Sequence, residues 1–324
     1  MNELVDATNL SCVQRLRTFV TDGQAAFFVG SGLSQPPYPS WRNLVPQINA
    51  FFGDNGFNGA SEIAIPTLGE INDLPPAELQ SIFQRFRDLN PKVYVDCIKA
   101  IFEADPGMAN RCLVKILKMR PALIVTVNFD VAIEAAAADC GIEIDTRFFP
   151  KMRYIGQDKE NVPVVMHLHG KFHEELYEDP DRLILHTSAY RQWYEEGDQV
   201  IKHMFSEIFL RYDVVFIGTS LSEPEMADFF KAFQNHRRTT NNRRKRIALL
   251  GTKARENPID IDQSRRVLRE EQARDITEGD ETGIDRVRFF PKGELYPGLH
   301  EILSDALGQS LVVPEPKTIW NDAI

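Results

Sequence analysis

The sequence predicts an α/β fold, in which a mostly parallel, Rossmann-like sheet is flanked by helices. The first observation is that short apolar runs, typical of buried strands, alternate along the chain with segments of helical periodicity. The second is that several of these runs end in glycine or polar residues, as strands do where a ligand binds at the carboxyl edge of a parallel sheet. The third is size, because 324 residues with 43% apolar composition can bury a large core.

The first part of the chain is predicted to contain one strand among helices. Apolar residues at helical spacing predict a helix over 8–22, which Gly23 ends. The run 25–29 predicts a strand that leads into a tight loop. From about 42 to 120 the periodicity is helical, so we interpret this segment as a helical insertion that covers a pocket or forms an oligomer surface.

The rest of the chain predicts further strands and the helices between them. The predicted strands are 123–127, 142–149, 162–168, 213–217, 246–250 and 286–290. The predicted helices are 131–138, 187–196, 198–211, 225–235 and 298–307. We interpret the acidic stretch 270–285 as an exposed segment and the basic stretch 231–246 as a solvated loop. We expect a single domain over 1–310 and a C-terminal tail over 311–324.

Charge and cysteine content exclude several classes of protein. The formal net charge of −10 does not favour binding to nucleic acid or to an anionic membrane. The four cysteines form no Cys-x-x-Cys pair, so neither a zinc-ribbon module nor a disulfide framework is predicted. No apolar run is long enough to cross a bilayer, and we expect a cytoplasmic protein without a metal.

A glycine-rich loop follows the first predicted strand. Gly30, Ser31, Gly32 and Ser34 are typical of a loop that approaches a phosphate group. Gln35 stands where the dinucleotide fingerprint has its third glycine, so an ordinary Rossmann dehydrogenase is not predicted. A plain glycine-containing turn is the alternative.

Polar residues also end three later strands. Asn128 and Asp130 suit the orientation of a water, a ribose or an amide, although Asp130 alternatively caps the helix that follows. His167 and His169 are expected on the same side of an extended strand, as a general base, as core histidines or, with His173, as metal ligands. The third strand end suits phosphate or ribose hydroxyls and lacks the final glycine of a nucleophile elbow; its residues are Gly218, Thr219 and Ser220.

In their order, these motifs resemble the sirtuin superfamily, especially the sirtuin-like proteins of bacterial antiviral defence. The resemblance extends over about 24–305 and is carried by 30–34, 126–130, 169–170 and 218–221, with further similarity at 39–41 and 185–190. Protein-deacylating sirtuins carry two Cys-x-x-Cys zinc pairs that are absent here, so an acyl-lysine channel is not expected.

The resemblance implies an NAD+ hydrolase that cleaves NAD+ to nicotinamide and ADP-ribose, and so depletes NAD+ in antiphage defence by abortive infection. It implies that Asn128 positions the ribose and the attacking water, that His169 is the general base, and that Asp130 contacts the carboxamide. The residues implied to hold the pyrophosphate and the adenosine side are Gly30, Ser31, Gly32, Ser34, Gly218, Thr219 and Ser220.

The partners expected from the resemblance are NAD+, further copies of the chain, and a separately encoded defence protein of ATPase or nuclease type. Two alternatives stay open: an NAD-dependent protein deacylase or ADP-ribosyl transferase, and a non-catalytic nucleotide-binding assembly subunit.

Overall fold

The computed structural model describes residues 2–20, 25–35, 37–57, 65–103, 110–149, 162–172, 182–196, 200–219, 221, 226, 229–235, 244–253, 261–289 and 297–308. Within these residues the strands are β1 (Ala25–Val29), β2 (Leu123–Thr126), β3 (Asp145–Phe148), β4 (Val164–His167), β5 (Asp213–Ile217), β6 (Arg246–Gly251) and β7 (Asp285–Phe289). They form one sheet in the order β3-β4-β2-β1-β5-β6-β7, and every pairing in it is parallel. The predicted α/β fold class is therefore confirmed.

The helices of the described residues are α1 (Asn2–Val20), α2 (Trp41–Asp54), α3 (Leu68–Asp73), α4 (Pro76–Leu89), α5 (Pro91–Phe102), α6 (Arg111–Lys118), α7 (Ala132–Asp139), α8 (Thr187–Tyr190), α9 (Val200–Arg211), α10 (Ile261–Thr282) and α11 (Pro297–Ala306). A π-helical turn at Arg191–Glu195 extends α8, and 229–235 are also helical. The helices α2 to α6 all lie between β1 and β2 in the chain, where the helical insertion was predicted.

Helices cover both faces of the sheet because side chains alternate along each buried strand. Phe27 and Val29 of β1 pack into one core with α1, α2, α4 to α7 and α11. Ala26 and Phe28 pack into a second core with α9 and the helical residues 229–235. The central strands are buried on both faces, which is why they read as continuous apolar runs in the sequence.

The order of the strands reverses next to β1. From β1 the chain first builds β2 and β4 on one side, and it then crosses to β5 on the other side. Parallel pairing aligns Val29 with Thr126 and with Ile217, so the carboxyl ends of these three strands share one edge. A reversal of this kind opens a crevice at the carboxyl edge, where ligands of such sheets bind.

The loops after β1 and β5 touch through their backbones at this crevice. The N–H of Gly30 donates to the carbonyl of Ile217, and the N–H of Gly32 donates to the carbonyl of Gly218, both at 2.9 Å. A Cβ at Gly30 would lie 2.8 Å from Gly218 C and from Thr219 Cα, which no real side chain tolerates. Glycine is therefore required at position 30 by the packing of the protein itself.

The stretch 270–285, interpreted as an exposed segment, is exposed at more than half of its positions, but it also has a buried face. Most of it belongs to α10, a helix that runs over Ile261–Thr282. Its Glu271 and Asp275 are only 1% and 5% exposed. Arg288 of β7 donates to both carboxylate oxygens of Asp275, at 2.6 and 2.7 Å. The helix is joined to the sheet by partly buried ion pairs, a contact that hydrophobic periodicity does not reveal.

Gly30→Ala is expected to lower the free energy of unfolding by at least about 1–3 kcal/mol, because the methyl group must push the β1 and β5 loops apart. Urea unfolding measures the effect. Gly53→Ala is the matched control, since Gly53 lies in α2 with nothing within 4 Å of an added Cβ. That control should be neutral or stabilising by up to about 1 kcal/mol. Equal effects of the two substitutions would contradict the close approach.

Candidate active site

A cavity of about 290 Å³ opens at the carboxyl ends of β1, β2 and β5. Residues from the strand ends form one wall, and residues from α2, α4 and the end of α5 form the other. The described residues that line it are Gly30, Ser31, Gly32, Gln35, Pro39, Ser40, Trp41, Arg42, Pro76, Leu79, Phe102, Val127, Asn128, Phe129, Asp130, Gly218 and Thr219. The helical insertion therefore helps to enclose the cavity.

Three predicted site residues form a hydrogen-bonded chain in this cavity. The side-chain nitrogen of Asn128 lies 2.9 Å from Ser34 Oγ, and Ser34 Oγ lies 3.0 Å from Asp130 Oδ1. Asp130 Oδ1 also accepts the backbone N–H of Ala132 at 3.0 Å, which is an Asx turn; the N-cap of α7 is Val131, so the capping role considered for Asp130 is wrong. The predictions placed these side chains in two separate motifs, and the structure brings them together.

The directions of these hydrogen bonds follow from Asp130. Its Oδ1 accepts from Ala132, and in the same way it accepts the hydroxyl proton of Ser34. Ser34 Oγ is then left to accept from the amide nitrogen of Asn128. The amide oxygen of Asn128 is the remaining polar atom of that side chain, and Asn128 lines the cavity. The hydrogen-bonded chain thus presents the amide oxygen of Asn128 as an acceptor to a ligand.

Burial changes the pKa of Asp130, the last residue of the hydrogen-bonded chain. Burial raises the pKa of Asp130 above its ordinary value, although the hydrogen bonds from Ala132 and Ser34 and the charge of His167 act in the opposite direction. An acidic side chain in this wall is therefore easier to protonate than an exposed aspartate.

The glycine-rich loop has fewer free N–H groups than a phosphate-binding loop would offer. The N–H groups of Gly30, Gly32 and Ser34 donate to carbonyls of the protein, at Ile217, Gly218 and Ser31. These three donors are therefore already used in closing the β1 loop and joining it to β5. Ser31 and Thr219 still line the cavity with hydroxyl groups.

Arg42 is a cavity residue that the sequence analysis missed. Its guanidinium donates to the carbonyls of Ile71 and Leu74, the latter at 2.9 Å, and so connects α2 to the end of α3. Among the described residues that line the cavity, Arg42 carries the only positive charge. The signal that could have found it is its position in the first turn of the helix after the glycine loop.

A second cavity of about 320 Å³ adjoins the first. It lies at the ends of β5, β6 and β7, and it shares Gly32, Gly218 and Thr219 with the first cavity. Arg286 and Arg288 also line it. Ser220, which was predicted to belong to this region, lies outside the described residues.

The expectation that His167 and His169 face the same side is wrong. The strand β4 ends at His167, and the chain then turns through 168–169 to Gly170, whose φ is +90°. His167 points to Glu134 of α7, on the first face of the sheet. The imidazole of His169 instead packs against Tyr190 and Tyr194 on the second face. Alternation fails because it requires continued extended backbone.

His169 is fully buried and does not appear among the described residues that line either cavity. Its Nε2 lies 2.7 Å from the hydroxyl of Tyr194, and its Nδ1 has no hydrogen-bond partner among the described residues. Burial lowers the pKa of His169 to about 3, so the ring is neutral at pH 7. Tyr190 lies between this ring and Trp41, with edge-to-face contacts to both. The role of His169 as general base stays a prediction.

The buried His167 and the partly buried Glu134 and Lys171 form a cluster behind Asn128. His167 contacts the carbonyl oxygen of Asn128 through Nδ1 at 2.9 Å and Glu134 Oε1 through Nε2 at 3.1 Å. Lys171 donates to the same Glu134 oxygen at 2.6 Å. Burial raises the pKa of Glu134, but the hydrogen bonds and positive charges of His167 and Lys171 outweigh burial and hold that pKa at about 2.

The described residues contain no group of three or more histidine, cysteine or acidic side chains placed to bind a metal. His173, considered with the other two histidines as a metal ligand, lies outside those residues. Burial raises the pKa of the Cys12, Cys97 and Cys112 thiols to about 12, so they are not nucleophiles at neutral pH. Of the helices described, none has both the length and the apolar character needed to cross a membrane.

Comparison with protein families finds one match. Residues 122–276 match a family model described as a SIR2-like domain. The matched span contains Asn128, Asp130, His169 and Gly218, whereas the glycine loop at 30–34 lies outside it. No curated protein matches the chain. The match supports a sirtuin-like domain in this part of the chain and suggests a function that involves NAD.

Ser34→Ala is expected to lower the free energy of unfolding by about 1–3 kcal/mol, because it leaves the buried Asn128 amide and the Asp130 carboxylate without their shared partner. Urea unfolding checks this. Ser206→Ala is the control, since that hydroxyl only donates to Lys202 one turn earlier in α9, and it should cost less than about 0.5 kcal/mol. Similar losses of free energy of unfolding in Ser34→Ala and Ser206→Ala would argue against the hydrogen-bonded chain.

The pKa of Glu134, held at about 2, predicts a pH dependence of stability. A depressed carboxyl pKa stabilises the folded state above the unfolded pKa, and this contribution is lost as the pH falls toward 2. Between pH 6 and pH 3 the wild type should lose about 2 kcal/mol more than Glu134→Gln. Urea unfolding at the two pH values measures this. Glu103→Gln, which changes an exposed ion pair at the surface, should lose as much stability between pH 6 and pH 3 as the wild type.

Proposed function

We propose that the protein is an NAD+ hydrolase that cleaves the bond between nicotinamide and ribose. The observation that carries the proposal is the pair of adjoining cavities at the strand reversal, which share Gly32, Gly218 and Thr219. A dinucleotide has two halves joined by a pyrophosphate, and this arrangement offers a space for each half with the glycine loops between them. The SIR2-like match over 122–276 supports the same ligand.

The charges and donors around the cavities fit such a ligand. The pyrophosphate is negatively charged, and the first cavity offers the guanidinium of Arg42 with the hydroxyls of Ser31 and Thr219. Since the N–H groups of Gly30 and Gly32 are used within the protein, we assign these side chains a larger share in binding the phosphates. Asp130 is assigned to the carboxamide, as the resemblance implies.

In the proposed reaction the bond between C1′ of the ribose and the ring nitrogen of nicotinamide breaks, and its electron pair stays on the leaving ring. Nicotinamide leaves as a neutral molecule, so no strong general acid is required. The ribose develops oxocarbenium character, and water adds to C1′ and loses a proton. The amide oxygen of Asn128 is oriented by Ser34 to accept a hydrogen bond from that water or from a ribose hydroxyl.

His169 is the general base of this proposal, and its position sets a condition on it. A base must lie within hydrogen-bond reach of the proton that it removes, directly or through one water. His169 lies behind Tyr190, which contacts the cavity residue Trp41. In this role His169 therefore requires the ring of Tyr190 to move aside when the substrate binds.

We further propose that NAD+ is depleted in this way in antiphage defence in the cytoplasm, under the control of a separately encoded partner or of self-assembly. An enzyme that destroys NAD+ without control would poison its own cell, which is the reason to expect such regulation. Nicotinamide release measured with and without the neighbouring gene product tests this part of the proposal.

Asn128→Ala is expected to lower nicotinamide release from NAD+ at least about 100-fold, because the polar group that orients the water is lost. The measurement is chromatography of the products, with Asn43→Ala on the exposed face of α2 as control. His169→Gln retains an amide nitrogen near the Nε2 position for Tyr194 and removes the basic ring; it should lose turnover while the protein stays folded.

The same experiment separates the alternatives. Turnover of an acylated peptide would show deacylation instead of hydrolysis. ADP-ribose attached to protein would show ADP-ribosyl transfer. NAD+ binding without nicotinamide release would support a non-catalytic subunit. Full activity of both Asn128→Ala and His169→Gln would contradict the site.

A further inference from the structure

The backbone of Asn128 is held by a histidine that is not one of the predicted catalytic residues. His167 is the last residue of β4, and its neighbour in register on β2 is Thr126. Its side chain is fully buried, and its Nδ1 lies 2.9 Å from the carbonyl oxygen of Asn128. A carbonyl oxygen only accepts hydrogen bonds, so Nδ1 carries a proton and donates it.

The other ring nitrogen fixes the orientation of the imidazole. Nε2 lies 3.1 Å from Glu134 Oε1, which Lys171 also contacts at 2.6 Å. Since a carboxylate also only accepts, both hydrogen bonds of His167 form together when both ring nitrogens carry protons. Glu134, which Lys171 holds in turn, therefore fixes the ring in the orientation that donates to Asn128.

Asn128 is held at three points as a result. Its N–H donates to Thr126 Oγ1 at 3.0 Å, its carbonyl accepts from His167, and its side-chain nitrogen donates to Ser34. The hydrogen bond to Ser34 orients the amide plane, while the other two fix the backbone from which the side chain extends. A backbone shift of Asn128 would move the amide oxygen relative to a bound ribose.

We propose that His167 is the positioning residue of Asn128: it holds the Asn128 backbone so that the side-chain amide faces the cavity in the geometry that the reaction needs. The charged groups that face His167 are Glu134 and Asp130, and Lys171 acts through Glu134. The kinetic consequence rests on the proposed function, whereas the positioning itself does not.

Two substitutions separate the two hydrogen bonds of His167. An asparagine places its amide nitrogen near the Nδ1 position of a histidine, and a glutamine places it near the Nε2 position. His167→Asn therefore keeps a donor for the Asn128 carbonyl, while His167→Gln keeps a donor for Glu134. His203→Asn and His203→Gln are the matched controls at an exposed histidine of α9.

In nicotinamide release from NAD+, His167→Gln is expected to lower kcat about 10–100-fold, with KM within about threefold of the wild type. His167→Asn should lose only about threefold in kcat. A purely structural role would instead give equal losses for the two variants. Both His203 variants should match the wild type.

A second readout does not depend on activity. In the protein labelled with 15N-asparagine, the side-chain amide signal of Asn128 should shift in His167→Gln and stay close to the wild-type position in His167→Asn. If either variant does not fold, Glu134→Gln replaces it: this change keeps the Nδ1 donor but releases the ring, and the Asn128 signal should shift and broaden.

The outcomes separate the two proposals. If the wild type releases no nicotinamide but the Asn128 amide signal shifts as expected, the hydrolase function is contradicted and the positioning role is retained. Turnover in the wild type with equal kcat in both His167 variants, or an unshifted Asn128 signal in His167→Gln, would overturn the positioning role and leave the hydrolase standing.

Discussion

The loops after β1 and β5 are in backbone contact at Gly30 and Gly218, and the site is arranged around that contact. Two hydrogen bonds of 2.9 Å join the loops, and no side chain fits between them at position 30. One cavity lies toward β2 and the other toward β7, with Gly218 in both linings. The contact exists because the strand order reverses between β1 and β5, so that two loops leave neighbouring strands in different directions.

A directional set of hydrogen bonds lies in the wall of the first cavity. Asp130 accepts from a helix backbone and from Ser34, and this fixes Ser34 as the acceptor for Asn128. Each donor and acceptor in the chain has a defined role, which orders a buried polar network that would be costly if it were only partly satisfied. The two residues that resemblance assigns to catalysis thus have different surroundings: Asn128 lies in the cavity wall, and His169 is sealed by tyrosines.

The histidines at the end of β4 illustrate how the backbone decides a role. They are two residues apart, yet His167 contacts Glu134 in the charged cluster, whereas His169 contacts Tyr194 in the aromatic core. Glu134 and Lys171 of this cluster are only partly buried, and their opposite charges pair directly. Among the described residues, the aromatic surroundings of His169 offer one polar partner, Tyr194, and burial there lowers the pKa of the ring to about 3, which keeps it neutral at pH 7.

The sequence by itself determined the class of fold, the central strands and the edge of the sheet at which the two cavities open. Apolar runs mark strands that are buried on both faces, and parallel strands bring their carboxyl ends together whatever connects them. It did not determine α10, whose buried carboxylates pair with Arg288 and leave no apolar stripe, nor the place of Arg42 in the cavity. Only the tertiary structure decided which polar side chains meet, because Ser34 and Asp130, or His169 and Tyr194, are distant in the chain and local periodicity carries no information about such contacts.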